Sequence, residues 1–75
     1  VHQDVRLYAS VLAPGAQVRH ELAGGRHAWL HVIRGVVSVN GQLLSAGDGA
    51  AISDEKLVTV ATDNSESEFL LFDLA

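Results

Sequence analysis

The side chains in this 75-residue chain best suited to chemistry are its four histidines, His2, His20, His27 and His31, and the carboxylates near them. Imidazole is the commonest protein ligand for a metal ion and the group most easily protonated near neutral pH. His20, Glu21 and His27 would together supply the minimum donor set for a transition metal. Their spacing works against it. Neighbours in a strand point to opposite faces, so His20, Glu21 and His27 converge only if bulges occur on two strands in the same direction. His27 and His31 share a strand face but lie about 13 Å apart along it, whereas metal–ligand bonds are about 2 Å long. His2 lies close to the terminus. The expectation is that the histidines are surface or contact residues, with His31 at a partner contact.

Other constellations are weaker. Asp54 and Glu55 are adjacent and point apart in extended chain, which reads as a solvated turn rather than a paired acid and base. Asp48, following Gly47, reads as a turn former whose carboxylate ties down backbone amides. Ser10, Ser38, Ser45 and Ser53 lack the G-x-S-x-G setting of a nucleophile elbow. Gly24-Gly25 is too short to cradle phosphate.

The elements that must position these residues are short strands broken by turns. "RLYASVL", "AQVRHEL", "AWLHVIR", "LVTVAT" and "EFLLFDL" are rich in strand formers, and "APG", "AGGR", "AGDG" and "DNSES" separate them. "VVSV-NG-QLLS" is the clearest local signal, because a two-residue hairpin turn needs positive φ at both central positions and Asn-Gly supplies it. No helix-period segment of useful length is present. The sequence therefore predicts one all-β domain over residues 1–75, a small antiparallel barrel or sandwich of jelly-roll type.

Composition narrows the partners. Nine acidic residues against five scattered basic ones give a formal charge of −4, which argues against nucleic acid. No apolar run approaches the roughly 20 residues that span a bilayer. The absence of cysteine removes disulfides and thiolate metal sites and fits a cytoplasmic protein. No secretory signal precedes the first strand, and the start at Val1 leads us to expect a trimmed or excised piece of a longer chain.

The apolar share of 48% is high for so small a domain, which has too much surface to hide it. In "AWLHVI", Trp29, His31 and Ile33 alternate with Ala28, Leu30 and Val32, and in "EFLLFDL", Phe69, Leu71 and Asp73 alternate with Leu70, Phe72 and Leu74. Both faces of both strands are largely apolar, so a second layer is expected to cover the outer one. Trp29, His31, Ile33, Phe69 and Leu71 are the candidate interface residues, with Trp29 as anchor.

The strand order, Pro14-Gly15, Gly35, Asn40-Gly41 and the Ala46-Gly47-Asp48 turn together resemble the cupin superfamily. Its first motif runs Gly, five residues, His-x-His, four residues, Glu, six residues, Gly. On this chain its terminal glycines fall on Gly15 and Gly35. The histidine positions fall on Glu21 and Ala23, the glutamate on Ala28, and the histidine of the second motif on Val58. The resemblance thus implies a degenerate, non-metal-binding site, its interior filled by Leu22, Leu30 and Val32. More closely, "WLHVIRGVVSVNGQLLSAGDGAAISDE" with "FLLFDL" resembles the C-terminal half of pirin-like bicupins, which include bacterial quercetin 2,3-dioxygenases.

That likeness implies a structural, interdomain role. It also implies a metal, and metal-dependent dioxygenase chemistry, only in an N-terminal cupin, with this chain alone not catalytic. The partner would be that N-terminal cupin or a second copy. The alternative is a free-standing small cupin that self-associates and binds a small apolar ligand or a partner protein.

Overall fold

The computed structural model describes residues 5–53 and 55–74; His2 and Asp54 lie outside them. Eight strands follow one another: β1 (Val5–Leu12), β2 (Gln17–Glu21), β3 (His27–Arg34), β4 (Val36–Val39), β5 (Gln42–Ser45), β6 (Gly49–Ile52), β7 (Leu57–Thr62) and β8 (Ser67–Leu74). They form two four-stranded sheets, one ordered β1-β8-β3-β6 and the other β2-β7-β4-β5. Every pairing is antiparallel. The chain crosses repeatedly between sheets, and the result is the expected all-β jelly roll.

Local chemistry explains the turns. Asn40 and Gly41 adopt φ of 47° and 87°, the pair of positive values that a tight β4–β5 hairpin demands. The Asn40 side chain extends the effect: its Oδ1 accepts from the Thr59 amide at 2.8 Å, and its Nδ2 donates to the Leu57 carbonyl at 3.2 Å. It thereby imitates a strand neighbour for β7. Asp48 accepts from the amide and hydroxyl of Ser45 at 2.9 and 3.2 Å, as expected of a turn former.

The core lies between the sheets. Leu30, Val32, Val37, Val58, Val60 and Phe69 are almost fully enclosed, and Leu12, Leu22, Ile52 and Leu71 close its margins. At one end, a polar group joins the sheets. The Thr62 hydroxyl donates to the Ser65 carbonyl at 2.6 Å, and the Ser67 hydroxyl donates to the Val36 carbonyl at 3.1 Å. Gly35, at φ 83°, is pressed against that group: a Cβ there would lie 2.6 Å from the Ser67 hydroxyl and 2.7 Å from the Glu66 carbonyl.

Candidate functional site

Two regions carry features beyond those needed for folding: the end of the interior where β2 meets β8, and the outer face of the β1-β8-β3-β6 sheet. On β2, Val18 and His20 turn inward, while Gln17, Arg19 and Glu21 are exposed. His20 was expected to point away from the interior, and this is a correction. The flanking apolar residues carried the signal, since Val18, His20 and Leu22 share one face at period two.

His20 Nε2 lies 2.8 Å from Asp73 Oδ2, across the sandwich on β8. Arg26, just before β3, donates through Nε to Oδ1 of the same carboxylate at 2.5 Å and through Nη2 to the Asp73 carbonyl at 3.1 Å. The Tyr8 ring meets His20 at 4.9 Å, tilted by 53°. Asp73 is only 1% exposed. Burial opposes its ionisation, but hydrogen bonds from Arg26 and His20, and their charges, outweigh burial and hold the carboxyl below its usual value. The cluster spans β1, β2, the β2–β3 loop and β8. No sequence motif announces it, because its members lie 47 and 53 residues apart.

The positions assigned to cupin ligands do not gather donors. Glu21 and Ala23 are exposed rather than interior; strand parity places His20 and Leu22 inside instead. Ala28 and Val58 do face the interior, 2% and 0% exposed, and aliphatic side chains surround them. The displaced set of His20, Glu21 and His27 does not assemble either. The β2–β7 register runs unbroken from Gln17 opposite Ala61 to Glu21 opposite Leu57, so no bulge turns Glu21 toward His20. His27 lies on the exposed side of the other sheet, with Nδ1 3.1 Å from the Ser53 hydroxyl. Among the described residues, no three of His, Cys, Asp or Glu are grouped to hold a metal ion.

The outer face of the first sheet is of the opposite character. Trp29 and Ile33 are 42% and 43% exposed and His31 is half-buried, all three on the outward side of β3. Register places them in rows across the sheet. One row runs Leu7, Phe72, Trp29, Ala51, and the next runs Ala9, Leu70, His31, Gly49. The Trp29 indole lies over Gly49, where a Cβ would collide with its ring.

Phe69 and Leu71 are not part of this face. At 1% and 3% exposure they belong to the core, because Ser67, Phe69, Leu71 and Asp73 form the inward side of β8. Leu70 and Phe72 take the outward places. On the second sheet, an open groove of about 550 Å³ lies beside Val36, Ser38, Leu43 and Ala61.

Comparison with known proteins decides the family. The model of the quercetinase C-terminal cupin domain matches residues 1–74. This chain belongs to that family. It is 45% identical over 74 residues to quercetin 2,3-dioxygenase of Escherichia coli K12, covering 99% of this chain and 32% of that protein. Among solved structures, the bacterial pirin YhhW from Escherichia coli, in complex with nickel(II), superposes with a TM-score of 0.92 at 44% identity, over 99% of this chain and 32% of that one. The Cupin_2 domain of an XRE family transcriptional regulator from Enterobacter cloacae shares the fold, with a TM-score of 0.77 at 18% identity, over 95% of this chain and 94% of that one. The chain thus spans about a third of the length of the curated relatives it matches. Among the described residues, no helix is long and apolar enough to cross a membrane.

Proposed function

We propose that this quercetinase C-terminal cupin is the structural, non-metal-binding half of a cytoplasmic two-cupin protein. Its role is to support a catalytic N-terminal cupin through the outer face of its first sheet. The observation that carries the reading is the chemistry of the inward positions. Leu22, Ala28 and Val58 offer no lone pair, and His20 is engaged with Asp73. A divalent transition metal needs three or four protein donors, and one engaged imidazole cannot provide them.

In place of metal–ligand bonds, the Asp73 carboxylate links the sheets through His20 and Arg26. The metal, and dioxygenase chemistry on a quercetin-like flavonol, then belong to the other half, in keeping with the nickel(II) complex of the Escherichia coli pirin.

The test is elemental analysis of this chain after incubation with Mn, Fe, Ni, Cu and Zn salts and desalting. Near-zero occupancy for each metal is expected. About one metal per chain would overturn the reading, as would turnover of quercetin by this chain alone. A second reading is a free-standing, self-associating cupin. It draws on the exposed apolar sheet face. A doubled mass in light scattering would favour it.

A further inference from the structure

We propose that Asn40 is a self-modifying site, deamidated by its own neighbour Gly41 when the β4–β5 hairpin lifts from β7. The modified residue then holds the hairpin to β7 less tightly than asparagine did. The inference concerns the second sheet and is independent of the role proposed for the domain.

The attacking atom is the Gly41 backbone nitrogen, which is unusually accessible because its residue has no Cβ. The pair stands at an exposed turn, open to water and hydroxide. The reaction needs nothing else. The Gly41 amide gives its proton to hydroxide, and its nitrogen bonds to Asn40 Cγ. The Cγ–Nδ2 bond breaks, and Nδ2 leaves as ammonia after taking a proton from water. Water then opens the five-membered imide. Opening at Cγ gives aspartate. Opening at the α-carbonyl carbon gives isoaspartate, in which the main chain runs through Cβ and Cγ. The net change is one water consumed and one ammonia released, with no oxidation or reduction.

The fold opposes the first step. Asn40 is tied to β7 three times: its backbone amide donates to the Thr59 carbonyl at 2.9 Å, Oδ1 accepts from the Thr59 amide at 2.8 Å, and Nδ2 donates to the Leu57 carbonyl at 3.2 Å. Attack requires the side chain to fold back over its own peptide bond to Gly41, whereas the last two bonds aim it across the sheet. The Thr59 amide would stabilise charge developing on Oδ1, but it acts only once the nitrogen has reached Cγ, and the clamp prevents that approach. The reaction therefore proceeds from the opened hairpin. Two side-chain hydrogen bonds of ordinary net strength slow it about thirtyfold.

The product is a poorer turn. A carboxylate has no donor for the Leu57 carbonyl and sets a negative oxygen against it. Isoaspartate adds a main-chain carbon to a two-residue turn whose geometry fixes the β4–β5 register. Each opening that ends in reaction thus leaves the hairpin permanently easier to open.

The experiment follows deamidation in the full-length protein at pH 8, folded and unfolded in urea, by mass spectrometry of its peptides. Asn64, exposed before Ser65 in the β7–β8 loop, is the internal reference. Asn40 is expected to react about thirtyfold more slowly in the folded protein than in urea, and Asn64 to be slowed much less. The protein modified at Asn40, separated by its extra negative charge, should show severalfold faster hydrogen exchange at the Thr59 amide.

No reaction at Asn40 in urea would overturn the site. Equal rates in the two states, or equal slowing of Asn40 and Asn64, would overturn the gate at β7. Unchanged exchange at Thr59 after modification would overturn the consequence for the hairpin.

Discussion

The two sheets have similar inner faces and different outer ones, mixed on the second and largely apolar on the first. Inside, both contribute branched aliphatic side chains to one core, to which the first sheet adds Phe69. Outside, the β2-β7-β4-β5 sheet mixes polar Arg19, Glu21, Ser38 and Thr59 with exposed Val36, Leu43 and Leu57. The β1-β8-β3-β6 sheet stays apolar, with Leu7, Leu70, Phe72, Trp29 and Ile33 there. Folding explains the inner faces. It explains the outer apolar face only in small part, since on a sheet with one side in water a cross-strand pair such as Trp29 and Phe72 adds no more than about 1 kcal/mol. The difference is what the proposed contact of the first sheet with another body rests on: the second sheet covers its inner side, and its outer side keeps an apolar face.

The sharpest way to break this comparison is to truncate both sides of one strand. Phe69→Ala, on the inward side of β8, is expected to cost about 3–5 kcal/mol in urea unfolding. Phe72→Ala, on the outward side, should cost this chain far less, about 1 kcal/mol. Equal losses would mean that the outer face is already part of the fold.

Next in size is Asp73→Ala, which leaves Arg26 and His20 without their shared carboxylate. A loss of about 3 kcal/mol near pH 7 is expected, as for other broken buried pairs. Because folding lowers the Asp73 value, its contribution is fully present above the unfolded value near 3.9 and disappears as pH falls through the folded value. Urea midpoints of wild type and variant should therefore converge below about pH 4. A constant gap down to pH 2 would contradict an ionised Asp73.

A smaller effect is expected from Gly49→Ala. The new Cβ displaces the Trp29 indole, at about 1–3 kcal/mol, and Trp29 fluorescence should change with it. An unchanged emission spectrum would show that Trp29 is not seated on β6. The smallest effect belongs to the second sheet: Leu43→Lys, at a residue 73% exposed, should alter stability by no more than about 0.5 kcal/mol. A larger loss would give that exterior a role the comparison denies it.

Much of the fold was legible in the sequence because its signals are local. The Asn40-Gly41 turn, the Asp48 turn and the alternation of "LVTVAT" each follow from a few neighbouring residues. Parity within β8 was not legible in the same way. "FLLF" is apolar at every position, so alternation cannot tell Phe69 and Leu71 from Leu70 and Phe72. What fixes the choice is the inward placement of Ser67 and Asp73, whose partners Val36, Arg26 and His20 are remote in sequence.

The same remoteness hid the His20–Arg26–Asp73 cluster. The cupin motif places its first ligand position on Glu21, one residue from the inward His20, and a one-residue shift inverts a strand; the apolar pair Val18 and Leu22 marks the inward parity. The Trp29, His31 and Ile33 side of β3 was readable because Ala28, Leu30 and Val32 form an uninterrupted aliphatic set opposite.

The pairing of β8 between β1 and β3 has a consequence for how the protein is made. Within this domain, β8, the last of its eight strands, joins β1, the first of them, to the rest of their sheet. During synthesis, β1 therefore waits for more than fifty residues with no hydrogen-bonding neighbour of its own sheet. Its valines and leucines stay open to wrong pairings while the other sheet can already zip around the Asn40-Gly41 hairpin. Such late, long-range closure slows folding and leaves nascent chains open to aggregation, so this domain should lean on ribosome-associated chaperones more heavily than its size suggests.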